Sequence, residues 1–436
     1  MENNINWDLR NILKINRKEM SFERNEEINI GELRKEIEPW LSALFQSEHM
    51  SALFGAGLTI AVTNLANCSS QGMNRIMFNG EYSEYITEYA DKSAEAMERG
   101  YANFEDDLRT ANELLKGLKI IDEQKATKLE IEISAQLSTF LKNIIKTEHD
   151  FLNSVSKSYF ALNYLKSFLI SFSSRTPTRD RSHIFTTNYD RFIEFGCDSA
   201  GIMMIDRFVG KVRPIFRSGR FELDYFYNPP GLRGEPRFVE GVVRFTKLHG
   251  SIDWISENKI IRKLPVDFGD KDYSKKIDSY EHLVIYPNSS KDIETDYYPY
   301  ADLFRDFSSA ICKPNSVIVT YGYSFGDLHI NRIIEDMLSI PSTHIVIISY
   351  DDSYKRIQKF YERNNPAQFT LLIGNHFGDL KTLVDHYLPK AAIDRISIRS
   401  NEIQEKRGDR TQNAEAYDGQ HLDKVEERES NALLRL

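Results

Sequence analysis

The chain has 436 residues, of which 41% are hydrophobic and 12% aromatic, enough to bury a sizeable core. Its net charge of −9 argues against a protein that covers nucleic acid with its whole surface. The chain has three cysteines, Cys68, Cys197 and Cys312, and no two of them form a Cys-x-x-Cys pair. This excludes a disulfide framework and a four-thiolate zinc site within one chain. No run approaches the ~18 apolar residues that cross a bilayer. We therefore expect a soluble, cytoplasmic protein without direct membrane or nucleic-acid binding.

The apolar spacing predicts three regions. Residues 1–46 are charged and helix-prone, and they predict an N-terminal helical arm that packs either on its own domain or on a neighbouring subunit. Residues 47–390 form the main domain. Within it, residues 82–175 read as a helical insertion, since apolar residues recur there at three- and four-residue steps. Residues 391–436 form a charged tail with few large apolar residues.

A short apolar run enters the turn Gly55-Ala56-Gly57, and a helix-compatible stretch follows. Glycines in such a turn allow the backbone to approach a phosphate, while the next helix offers its N–H groups. The turn lacks the third glycine of the usual dinucleotide fingerprint. An ordinary strand–helix connection is therefore the alternative interpretation.

The segment Ile184–Asp190 predicts a buried strand that ends on an amide and a carboxylate, Asn188 and Asp190. In open parallel sheets, ligands bind where strands end and the chain turns toward a helix. The two side chains are therefore candidates for a cleft. Asp190 could instead cap the following helix, since Asp is a favoured N-cap.

Three further predicted strands also end on polar residues. His249 follows the first of them and precedes a glycine, Gly322 and Ser324 follow the second, and Asp351 follows the third. Asp327 is a plausible N-cap of the helix after the second strand. Strands that alternate with helices in this way predict an α/β fold with a parallel sheet.

In this order, the turns resemble the sirtuin family, with its Gly-Ala-Gly loop, Thr-x-Asn-x-Asp turn, His-Gly and late Gly-x-Ser turn. The resemblance covers roughly residues 50–380, with the helical block as an insertion. It implies a Rossmann-like sheet that binds NAD. Thr59 stands where the family loop usually has serine.

Two parts that shape the acyl-lysine channel of deacylating sirtuins are missing. Val62-Thr63-Asn64-Leu65-Ala66 replaces the family's Gly-Ile-Pro-x-Phe-Arg segment, and the Cys-x-x-Cys zinc module is absent. The chain therefore looks like the divergent bacterial sirtuin-like group that hydrolyses NAD as an anti-phage effector. NAD is then a substrate, and we expect no zinc.

The resemblance implies a role for each turn. Asn188 would hold the nicotinamide ribose or the attacking water, His249 would act as general base, and Asp190 would orient the carboxamide or fix its turn. The residues that would bind the rest of NAD are Gly55, Ala56, Gly57 and Thr59 at the pyrophosphate, Thr187 in the adjacent turn, Ser324 with Gly322 at a phosphate or the adenosine ribose, and Asp351 at that ribose.

The main hypothesis is an NAD⁺ glycohydrolase that releases ADP-ribose and nicotinamide and depletes NAD during infection. The alternative is a module that binds NAD or ADP-ribose and assembles a complex without turnover. A protein deacylase lacks its channel residues, and a nuclease lacks a carboxylate cluster for metal. We expect control by homo-oligomerisation or by a separate protein, with a HerA-type hexameric ATPase as the leading candidate.

Overall fold

A computed structural model describes residues 5–23, 26–70, 75, 77–96, 100–220, 223–227, 237–257, 260–276, 283–285, 298–352 and 354–390. The predicted tail, residues 391–436, lies outside this part of the chain. Within the described residues, no helix has the length and apolar character needed to span a membrane.

The strands of the described residues fall into three sheets. In chain order they are β1 (Asn11–Ile15), β2 (Lys18–Phe22), β3 (His49–Phe54), β4 (His183–Thr186), β5 (Met203–Ile205), β6 (Phe208–Val209), β7 (Ile215–Phe216), β8 (Phe226–Tyr227), β9 (Arg237–Phe238), β10 (Val242–Lys247), β11 (Gly250–Glu257), β12 (Ile260–Lys263), β13 (Leu283–Ile285), β14 (Ser316–Tyr321), β15 (His344–Ser349) and β16 (Phe369–Ile373). The main sheet has the order β2-β1-β16-β15-β14-β3-β4-β10-β5, and its pairings from β16 to β5 are parallel. The predicted parallel α/β sheet is confirmed.

The helices of the same residues are α1 (Ile30–Phe45), α2 (Ala56–Leu65), α3 (Ser83–Ala96), α4 (Phe104–Ile121), α5 (Glu123–Asn153), α6 (Val155–Ser173), α7 (Phe192–Ala200), α8 (Tyr300–Ile311), α9 (Leu328–Leu338), α10 (Arg356–Arg363) and the short α11 (Leu380–Thr382), which continues as a π-helical turn over Leu383–Tyr387. Short 3₁₀ turns lie at Ser218–Arg220, Lys271–Lys276 and Pro366–Gln368.

Two apolar cores lie on the two faces of the main sheet. Successive strand residues point to opposite faces, so Val317 and Val319 of β14 pack in the core with α1, α2, α6 and α7. Ile318, between them, packs in the other core with α8, α9 and α10. The result is a Rossmann-like sandwich with a layer of helices on each face.

The prediction of helix was wrong for the first part of the N-terminal arm. β1 and β2 form a hairpin there, and β1 pairs antiparallel with β16, placing Ile12 opposite Ile373. An edge strand such as β16 presents unpaired backbone groups that a hairpin can satisfy. Asn16 forms the turn at φ +54°, a conformation that Asn tolerates better than most residues. The second part of the arm, α1, is helical as predicted, and the arm packs on its own chain.

The predicted helical insertion, residues 82–175, is helical but belongs to two layers. α3, α4 and α5 share a core of their own, formed by residues such as Ile86, Leu108 and Leu129. α6 instead packs against the main sheet through Phe168 and Phe172. The additional subdomain is therefore α3–α5, while α6 is the helix that returns the chain to the sheet.

The side on which successive strands join the sheet changes between the two central strands, β3 and β14. From β3 the chain proceeds to β4 and β10 on one side, and β14, on the other side of β3, leads to β15 and β16. The ends of β3 and β14 thus diverge at a topological switch point, where open α/β sheets bind their ligands.

Candidate functional site

The loops that follow β3 and β14 pack against each other backbone to backbone. The Gly55 N–H donates to Tyr321 O at 3.0 Å, and the Gly57 N–H donates to Gly322 O at 3.1 Å. A Cβ on Gly57 would lie 2.6 Å from Gly322 Cα, and Gly322 itself has φ +61°. These glycines are required by the close approach of the two loops. Ala56, the first residue of α2, is exposed between them.

Asn188 lies in this junction with its amide fixed. It is 6% exposed, and its Nδ2 donates at 3.1 Å both to Gly55 O and to Thr59 Oγ1. Its backbone N–H donates to Thr186 Oγ1, which in turn donates to Phe54 O. Because both amide hydrogens are used within the protein, the Asn188 Oδ1 atom is left as an acceptor with no partner among the described residues.

Asp190 fixes the same turn from the other side. Its Oδ2 accepts from Thr59 Oγ1 at 2.7 Å, and its Oδ1 accepts from Phe192 N at 3.2 Å in the first turn of α7. The N-cap position of α7 is Arg191, so the prediction that Asp190 is the helix cap was wrong. Asp190 lies one residue earlier, where one oxygen accepts from the first N–H of the helix and the other contacts Thr59. The Thr59 hydroxyl, which the sequence placed at the pyrophosphate, joins Asp190 to Asn188.

His249 lies in the turn between β10 and β11, as predicted, and is 5% exposed. Its Nε2 is 2.9 Å from Asp327 Oδ2. Asp327 also caps α9, since its Oδ1 accepts from His329 N at 3.1 Å. Because a carboxylate oxygen accepts, Nε2 is the ring nitrogen that donates to Asp327, and Nδ1 is the other ring nitrogen.

The turn Asn188–Arg191 also contacts the helical insertion. Tyr189 OH donates to Glu105 Oε1 of α4 at 3.1 Å, and its ring contacts the Phe140 ring of α5. Arg191 Nη2 donates to Glu148 Oε2 of α5 at 2.6 Å in a buried ion pair. Thus Asn188 and Asp190 face the glycine loop, while Tyr189 and Arg191 anchor the turn to the insertion.

Two carboxylates, those of Glu105 and Asp327, act on the hydroxyl group of Tyr189. Burial, followed by the charge of Glu105 and then by Tyr300 and Asp327, raises the pKa of Tyr189 well above its usual value. Tyr189 in turn lies 6.0 Å, ring to ring, from His249.

The remaining predicted residues lie further along the same edge of the sheet. Ser324 is exposed in the loop between Gly322 and Asp327, and Asp351 is exposed just after β15. Thr187 N donates to Phe54 O at 3.2 Å, so its backbone belongs to the junction of β3 and β4. A role for these residues in binding NAD stays a prediction.

Two cavities of the protein lie away from this edge. One of about 640 Å³ lies between the β1–β2 turn and α1, at Arg17 and Trp40. Another of about 340 Å³ lies between α3 and α4, at Tyr85 and Tyr89. Within the described residues, no group of three or more His, Cys, Asp or Glu side chains is arranged to hold a metal ion.

Sequence reasoning missed three residues of the site. Asp327 was predicted only as a helix cap, and Glu105 and Glu148 were not singled out within the insertion. For Asp327 a signal was available, since it lies in a strand-end turn that also contains Ser324. The two glutamates gave no signal, because charged residues on helices are usually exposed.

An open parallel sheet with polar strand-end loops at its switch point defines a Rossmann-like, nucleotide-binding class of fold. Residues 182–367 match the model of the SIR2-like domain, a family whose members use NAD. The matched region contains Asn188, His249 and Asp327 and begins after the glycine loop of β3. No curated protein matches the chain.

Proposed function

We propose that the protein is an NAD⁺ glycohydrolase that converts NAD⁺ and water to ADP-ribose and nicotinamide. The observation that supports this most directly is the fixed amide of Asn188. Its NH₂ group is held by Gly55 and Thr59, and its Oδ1 atom is an acceptor at the switch point. A ribose hydroxyl or a water molecule is the donor that fits such an acceptor.

The chemistry requires a cation to be stabilised at the ribose. The bond between C1′ and the nicotinamide nitrogen breaks with its electron pair moving to the ring, which neutralises the pyridinium. Positive charge then develops on C1′ and the ring oxygen. Groups that are preorganised for this charge lower the barrier selectively. The carboxylates of Glu105, Asp190 and Asp327 provide negative charge around this region.

Hydrolysis is completed by water. Its oxygen forms a bond to C1′, and its proton passes to Nδ1 of His249, which Asp327 orients through Nε2. General base catalysis of this kind contributes roughly 10²–10⁴ in rate. His249 then returns the proton to solvent, and Asn188 Oδ1 positions the water or the neighbouring hydroxyl.

Product analysis tests this proposal against the binding-module alternative. The full chain is incubated with NAD⁺, alone and with candidate partners, and nicotinamide and ADP-ribose are separated by chromatography. Equal amounts of the two products are expected. NAD⁺ that binds but stays intact in every assembly would instead establish a sensor or assembly subunit, and release of nicotinamide that requires an acyl-lysine peptide would establish a deacylase.

We also propose that this activity depletes NAD in anti-phage defence and is controlled by homo-oligomerisation or by a HerA-type hexameric ATPase. The support is the resemblance of the four turns to NAD-hydrolysing bacterial sirtuin-like proteins, together with exposed apolar residues on the insertion such as Tyr85, Ile120 and Ile131. Co-expression with such an ATPase, followed by mass measurement and the NAD⁺ assay, tests this assembly. An unchanged mass and an unchanged rate would exclude the ATPase as partner.

A further inference from the structure

An aromatic and cationic surface lies beside the Gly322–Asp327 loop. Tyr354 follows β15, and the Arg356 guanidinium lies 4.6 Å from the centre of its ring. A Cβ built on Gly326 would lie 3.0 Å from Arg356 Nη1 and 3.4 Å from Ser324 Oγ. The arginine, the serine hydroxyl and the tyrosine ring are therefore adjacent.

The helical insertion contributes a second ring to this surface. Tyr101 lies between α3 and α4, and its ring centre is 6.3 Å from that of Tyr354 in an edge-to-face arrangement. Tyr101 is 76% exposed and Tyr354 is 54% exposed. Exposed aromatic faces of this kind stack on purine bases, and every base offers a π-face to them.

This surface adjoins the glycine loops through the Gly322–Asp327 loop. Asn188 and Gly55 lie at one end of the switch point, and Gly322 packs on the glycine loop. From Gly322 the surface continues over Ser324 to Arg356, Tyr354 and Tyr101. A nicotinamide ribose at Asn188 would place its pyrophosphate along the glycine loops and its adenosine half toward the tyrosines.

We infer that Tyr354 and Tyr101 bind the adenine base of the nucleotide and that Arg356 contacts the adenosine-side phosphate or ribose. This inference rests on the proposed function and extends it, because the insertion then completes the substrate site with Tyr101. It also gives the site selectivity for dinucleotides over nicotinamide mononucleotide, which lacks the adenosine half.

The test compares Tyr354→Ala and Tyr101→Ala with two controls in the full chain. Tyr354→Phe keeps the ring, and Tyr159→Ala removes an exposed tyrosine of α6. Calorimetric titration with AMP is expected to show affinity at least about fivefold weaker in each of the first two variants, as loss of a base stack predicts. Both controls should bind AMP as the wild type does.

Steady-state kinetics provides the second readout. Each alanine variant should raise KM for NAD⁺ with kcat nearly unchanged and leave both constants for nicotinamide mononucleotide unaltered. Wild-type protein that does not bind AMP, or alanine variants that bind it normally, would overturn the inference. Alanine variants that bind AMP normally but have an altered oligomeric mass would show that the surface is a protein interface instead. If the chain does not hydrolyse NAD⁺ at all, the proposed function fails and the AMP affinities alone decide this inference.

Discussion

Asp327 Oδ2 lies 2.9 Å from Nε2 of His249, a residue 78 positions earlier in the chain. The same carboxylate caps α9 through Oδ1. The Asp327 side chain therefore caps α9, which lies on one face of the sheet, and it also orients the imidazole of His249, which follows β10. A histidine held in this way has a defined tautomer, which is what a general base requires.

Replacing Asp327 by asparagine separates its two roles. Asparagine is as good an N-cap as aspartate, so the melting temperature should stay close to that of the wild type. The negative charge that stabilises the imidazolium is lost, so kcat for NAD⁺ hydrolysis should fall at least about tenfold. Thermal melting and initial rates measure both effects. A variant with unchanged kcat would show that Asp327 is only a cap.

Gly322→Ala tests the contact between the two glycine loops. A Cβ at this position would meet Gly57 Cα at 2.6 Å, and the residue has φ +61°. We expect a destabilisation of about 1–3 kcal/mol, since the left-handed backbone alone costs about that much for a non-glycine residue. Urea denaturation gives the value.

Gly117→Ala is the matched control for that substitution. Gly117 lies inside α4, and a Cβ there would meet no heavy atom within 4 Å. Alanine should therefore stabilise the protein by about 0.5–1 kcal/mol, as in other helix interiors. A Gly322 variant as stable as the Gly117 variant would contradict the packing described for the glycine loops.

Glu148→Ala tests whether the insertion holds the turn Asn188–Arg191. The Glu148 carboxylate accepts from the backbone and side chain of Arg191 and from Gly269 N. Its loss leaves a buried guanidinium without its ion-pair partner, which typically costs about 3–5 kcal/mol. Urea denaturation should show this loss.

Glu88→Ala removes an exposed ion pair with Lys92 in the same subdomain and serves as the control. Its unfolding curve should coincide with that of the wild type, because exposed ion pairs contribute little. Equal curves for the Glu148 and Glu88 variants would mean that the turn does not depend on the insertion.

The residues that end the strands could be predicted from the sequence, because their pattern is local. The buried run before Asn188 and the one before His249 each predict a strand, and parallel strands bring their carboxyl ends to one edge. Pairings across the chain could not be predicted in this way. The contact of His249 with Asp327 and that of Arg191 with Glu148 depend on how distant elements dock.

The N-terminal hairpin shows the same limit for the fold. The apolar spacing around Ile12 and Leu13 is compatible with a short helix, and it predicts a helical arm over residues 1–46. Pairing with β16, more than 350 residues later, selects the strand. Tertiary contact overrides local preference here, since a buried strand is stabilised chiefly by what it packs against.

The contribution of His344 to the stability of the protein should fall as the pH falls below about 6.5. Burial lowers the pKa of His344 to about 4 from 6.5, so the unfolded chain binds a proton at this residue before the folded chain does. The stability present above pH 6.5 is therefore lost as the pH falls through about 4, by up to about 3 kcal/mol.

Urea denaturation at pH 7.5 and pH 5 measures this dependence. His344→Gln should reduce the slope without abolishing it, because burial also lowers the pKa of His183. An unchanged slope in this variant would contradict the assignment of the effect to His344.

The most direct test of the central claim is the initial rate of nicotinamide release from NAD⁺ by Asn188→Ala. Removing the fixed amide should lower kcat at least about 100-fold, comparable to the loss of one preorganised hydrogen-bonding group in other active sites. Asn64→Ala, at an exposed position of α2, should retain the wild-type rate. Turnover by the Asn188 variant at the wild-type rate, with ADP-ribose as product, would contradict the site assigned here.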